Sequence, residues 1–148
     1  MARFDDHLAE KKNVILDRWF NEIIESYPSD TAKFLKNQKN RFANPVGSAI
    51  YKGIEDILNG LLRGDATADM YQFLDNIVRI RAVQDFTPSQ AISFIFLLKK
   101  IIREVLGAEI CNNGSSADIA LLDLRIDDLG LSAFDIYMKC REKVYEIK

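Results

Sequence analysis

The chain has 148 residues, 20 of them Lys or Arg and 22 Asp or Glu, for a formal net charge of −2. That is the length of one domain with a full core, and 48% hydrophobic with 28% charged residues is the balance of a soluble globular protein. A slightly acidic chain has no surplus of cations to neutralise phosphates, which argues against nucleic acid as a partner. The charged start MARFDDHLAEKK and the lack of any apolar run near the ~18 residues a bilayer needs argue against a secretory signal and membrane insertion.

The first predicted helix runs from Phe4 to Tyr27, with Leu8, Ile15, Leu16, Trp19, Phe20, Ile23 and Ile24 at helical spacing and a gap at Lys11–Asn13. Pro28 ends it. A short helix around Phe34 and Leu35 is expected over Thr31–Gln38, and the nearby Lys36, Lys39 and Arg41 read as a solvated helix face. Asn44 can cap and Pro45 can open the next helix, because a first-turn position needs no N–H. Val46, Ile50, Ile54, Ile57, Leu58 and Leu61 form its apolar face, and Gly64 closes it. Thr67 starts another helix, with Met70, Phe73, Leu74, Ile77, Val78 and Ile80 inside and an end near Asp85.

Thr87-Pro88-Ser89-Gln90 is a capping box with proline at the first helical position. The helix it opens is apolar nearly all round for three turns, from Ile92 and Phe94 to Ile101 and Ile102, and is read as the central buried helix, stopped by Gly107. Asn112 to Ser115 form the loosest loop. The last helix runs from about Ala117 to the end and is expected to weaken at Gly130. Together these elements predict one all-α domain over residues 1–148, a globin-like bundle of about six helices with a long C-terminal helix.

Residues suited to catalysis are sparse. His7 is the one histidine, and neither a triad nor a metal site can be built on it. Cys111 and Cys140 have no paired spacing, so they make neither a disulfide framework nor a zinc site, and free thiols fit a reducing cytoplasm. From Val78 to Phe96, where a globin would place its haem ligand, there is no His, Cys, Met or Tyr, and only Met70 and Tyr71 stand near. Phosphate-loop, dinucleotide and nucleophile-elbow motifs are missing. No cofactor, no metal and no enzymatic activity are therefore expected.

The most distinctive stretch is Ile80-Arg81-Ala82-Val83-Gln84-Asp85-Phe86-Thr87-Pro88-Ser89-Gln90-Ala91. Arg79, Arg81, Gln84 and Asp85 crowd onto this sharp corner, either tying it together or forming a recognition surface. Asp85 is expected to cap the following helix or to pair with Arg81, and Asp75–Arg79 to form an i, i+4 ion pair. With Leu16-Asp17-Arg18-Trp19, Tyr27-Pro28 and Phe42-Ala43-Asn44-Pro45-Val46-Gly47, this stretch resembles the N-terminal domain of RsbRD-type RsbT co-antagonist proteins, up to about Glu104. The resemblance implies a cytoplasmic bacterial sensory domain of non-haem, globin-like build, which dimerises and meets other signalling proteins in stressosome-like assemblies. It supplies no catalytic residues. The competing reading is a small-molecule or cofactor carrier with a pocket beneath the central helix.

The C-terminal helix carries two apolar seams. Ile119, Leu122, Ile126, Leu129, Ala133, Ile136 and Cys140 step alternately by three and four, the coiled-coil spacing. Leu124, Leu131, Phe134, Met138 and Tyr145 form the other. One seam is enough to pack a helix on its own core, so a homodimer is expected, with Leu122, Ile126, Leu129, Ile136 and Cys140 at its interface.

Overall fold

Helical periodicity is realised as five helices in a computed structural model that describes residues 2–27, 30–31, 33, 44–64, 68–84, 86–107 and 116–147. They are α1 (Ala2–Glu25), α2 (Pro45–Arg63), α3 (Ala68–Val83), α4 (Pro88–Leu106) and α5 (Ser116–Ile147). Several expectations fall outside the described residues: Pro28, Thr67, Asp85, Cys111, the 112–115 loop, the Phe4 side chain, and the 31–38 helix with its basic patch. Of residues 28–43 only 30, 31 and 33 are described, and they are helical.

The local start and stop signals act as their chemistry requires. Asn44 Oδ1 accepts from the Gly47 N–H at 2.9 Å, and Pro45 takes the first helical position. At α4 the Gln90 N–H donates to Thr87 Oγ1 (3.3 Å) while the Thr87 N–H donates to Gln90 Oε1 (3.0 Å), a complete capping box. Gly64 sits at φ 73°, the left-handed geometry that closes a helix without a Cβ penalty.

The helix contacts close a ring. α1 packs on α2, α2 on α3, α3 on α5, α5 on α4, and α4 back on α1, with α3–α4 and α2–α5 contacts across it. Inside lie Leu16, Trp19 and Ile23 of α1, Ile54 and Leu58 of α2, Leu74 and Val78 of α3, Phe94 and Leu98 of α4, and Ile126 and Ala133 of α5. Trp19 Nε1–H donates to Phe94 O at 2.7 Å, so the one tryptophan is buried with its polar group satisfied. The result is the expected all-α bundle with a long C-terminal helix.

Two sequence expectations change. First, α4 touches three neighbours but is not buried all round: Ala91, Phe94, Ile95, Leu98, Ile101, Ile102 and Leu106 face the core, while Phe96 and the later charged residues face out. A helix in a ring keeps an outer face whatever its composition. Second, Gly130 does not weaken α5, which runs unbroken from Ser116 to Ile147. A Cβ at Gly130 would lie 2.3 Å from the Phe96 ring, so this glycine is the notch into which α4's outward phenylalanine fits. From there α4 and α5 run antiparallel, with Lys99 paired to Asp127 and Arg103 to Asp123. Among the described residues no helix is long and apolar enough to cross a membrane.

Candidate functional site

The inner stripe of α3 runs through Leu74, Ile77 and Val78, and the next helical turn brings Arg81 and Ala82 onto it. A guanidinium is thereby carried into the core, where Arg81 is 1% exposed. Nη1–H donates to Gln90 O in the first turn of α4, and Nη2–H to Ser26 Oγ just past α1, each at 3.2 Å. The rings of Tyr27, Phe86 and Phe94 lie 5.3, 4.9 and 5.3 Å from its central carbon. A ring's electron-rich face attracts a cation at this range, by about 2 kcal/mol once water is excluded. Burial pulls the guanidinium pKa below its ordinary value and the Tyr27 hydroxyl opposes the pull, but an arginine stays charged in a protein. Its Nε has no hydrogen-bond partner.

Of the four residues read as one polar corner, the three that are described are not brought together. Arg79 is two residues from Arg81 and so about 200° away round the helix. It lies outside, paired with Asp75 at 2.8 Å as the i, i+4 spacing predicts. Gln84 is exposed, and Asp85 is outside the described residues.

Part of what holds the corner comes from α5. The last carbonyls of α3 have no helical partners of their own. Ile80 O takes the Gln84 N–H (3.1 Å), Arg81 O the Phe86 N–H (3.2 Å), and Ala82 O the Arg141 Nη1–H (3.0 Å). Tyr137 OH donates to Phe86 O at 2.5 Å. Arg125 does at the end of α2 what Arg141 does at α3, donating to Leu61 O at 3.0 Å. Each places a positive charge at the negative end of a helix dipole. α5 is thus a spine that caps two other helices.

The two seams of α5 meet opposite fates. Leu122, Ile126, Leu129 and Cys140, expected at a dimer interface, are buried in the chain's own core, and Ile136 packs partly buried against it. That expectation is corrected: the three-four stripe is consumed by α2, α3 and α4, as an intramolecular ring requires. The second seam is exposed. Leu124, Leu131, Met138 and Tyr145 recur every seven residues along the outer face, with Phe134 between them, and Leu131 is 65% and Phe134 41% exposed. Arg141 joins the two regions, because its Nη2–H donates to Tyr145 OH (3.3 Å) while Nη1 holds Ala82 O.

The family model of the RsbT co-antagonist protein rsbRD N-terminal domain matches residues 13–147. The chain belongs to this family. The match runs through α5, so the long helix is part of the RsbRD N-terminal domain, although the quoted motifs reach only about Glu104. Neither a curated protein nor a solved structure matches the chain.

Sequence reasoning missed several residues of this RsbRD-type domain. Ser26, Tyr27, Tyr137 and Arg141 act across more than 50 residues of sequence, where no local pattern reports. Ile80 and Val46, expected on inner faces, are 54% and 55% exposed. For α3 the signal existed: spacing from Leu74, Ile77 and Val78 selects Arg81, not Ile80, for the core stripe. A pocket lies between α2 and α3.

Proposed function

We propose that the chain is a non-enzymatic signalling domain that pairs with a second copy of itself through the outer seam of α5 and passes its state to other signalling proteins in the bacterial cytoplasm. The observation that carries this reading is the exposed row Leu124, Leu131, Phe134, Met138 and Tyr145. A surface helix of a lone domain turns polar residues to water, and a contiguous apolar row marks a contact surface. Its seven-residue recurrence is the spacing of helix-on-helix pairing. Membership of the family points to stress signalling of the stressosome kind as the setting. The absence of enzymatic function is argued from the sequence, in which a single histidine and unpaired cysteines leave no set of groups to share acid–base or nucleophilic work.

Light scattering at micromolar concentration tests the pairing. The expected result is a dimer, converted to a folded monomer by Leu131→Glu with Phe134→Glu, both exposed positions. A monomeric wild type at tens of micromolar, or a dimer untouched by that double change, sinks the interface. Leu129→Glu is not a suitable probe, since Leu129 is core and a buried charge would unfold the chain.

A further inference from the structure

Between α2 and α3, beside the end of α1, lies a half-open cavity of about 780 Å³. Its walls are apolar: Val46, Ala49 and Ile50 on one side, Phe73, Ile77 and Ile80 on the other. Phe73 is held back against α2 because residue 53 is glycine, where a Cβ would lie 1.9 Å from the ring. The volume is within the range that drug-sized ligands fill, and a few polar groups among apolar walls are the usual composition of such sites. Those groups are Asn76, Gln84, Arg79 and the hydroxyl residues Thr31 and Tyr27. Asn76 Oδ1 accepts from Gln72 at 3.2 Å, which leaves its amide N–H groups for a guest. Arg79 is already neutralised by Asp75. A charged guest would lose its hydration with no opposite charge waiting for it.

We infer that this cavity binds a neutral, largely apolar small molecule carrying a hydrogen-bond acceptor, and that it is the input site of the sensory domain. Tyr27 forms part of its wall and also covers Arg81, so a guest rests on a ring of the corner that α5 caps. The assignment builds on the signalling reading above, but it is tested on the purified chain without any partner, so a failure of one leaves the other standing.

The test is titration with Nile red, a neutral solvatochromic dye, followed by its blue-shifted emission. One saturable site per chain is expected, with the anionic dye ANS at least about tenfold weaker, a difference of about 1.4 kcal/mol. Ala49→Trp on α2 and Ile80→Trp on α3 each fill the cavity from an exposed position and should weaken Nile red at least about tenfold with the thermal melt unchanged. The Leu131→Glu, Phe134→Glu chain should bind as tightly as wild type. No saturable binding, ANS preferred over Nile red, or undiminished binding in both Trp variants would overturn the assignment.

Discussion

The Arg81 corner and the outer seam of α5 invert the usual distribution of polarity in opposite senses. At the corner a charge stands where the stripe calls for an apolar residue. Along α5 apolar residues stand where a surface helix calls for charge. Both departures are informative where a scattered exposed leucine would not be. They differ in what answers them. Three rings, a hydroxyl and a carbonyl from the chain itself meet Arg81, whereas Leu131 and Phe134 stay largely open to solvent. A departure satisfied from within acts on stability, and one left open acts on association. Arg141, holding Ala82 O and Tyr145 together, is where the two could exchange information.

Stability measurements can break this division. They are best made by urea unfolding in the Leu131→Glu, Phe134→Glu background, where association does not add to the apparent stability. The largest effect is expected from Arg81→Ala. It empties a core position and removes two hydrogen bonds, to Gln90 O and Ser26 Oγ, at a cost of about 3 kcal/mol. Arg81→Met, which refills the volume, should recover about half of that. If Ala is tolerated without loss, the corner is not a stability element and the comparison fails.

Tyr137→Phe is next. It removes only the hydroxyl that reaches Phe86 O, and a loss of about 1 kcal/mol is expected. A value near zero would mean that α5 does not hold the corner. Leu131→Glu alone, compared with wild type diluted until monomeric, should change stability by no more than about 0.5 kcal/mol, as for a surface site. A larger loss would place Leu131 in the core and remove the contrast.

The smallest effect sets the baseline. Arg18 donates to Glu104 across α1 and α4 on the exposed surface, and that hydrogen bond holds the Glu104 carboxyl below its usual range. With the folded pKa below the unfolded one, the stabilisation is present above the unfolded value and disappears as pH falls through the folded one. Glu104→Gln should therefore melt slightly below wild type at pH 7, with the gap closing below about pH 4. A gap that widens in acid would contradict the assigned sign.

Helix beginnings and ends were legible because their chemistry is local. Asn44 with Pro45, Thr87 with Gln90, and Gly64 each act within one turn, and all three behave as their residue types dictate. The all-α class followed from the same short-range spacing. Which seam of α5 turns inward was not legible, since periodicity shows that residues share a face and is silent on what the face meets. The placement of Gly130 under Phe96, of Arg141 on the end of α3, and of Tyr27 between a cavity and a buried cation depends on helices far apart in sequence. Those contacts exist only once the ring of helices has closed, because the surface available to each side chain is made by the packing of all the others.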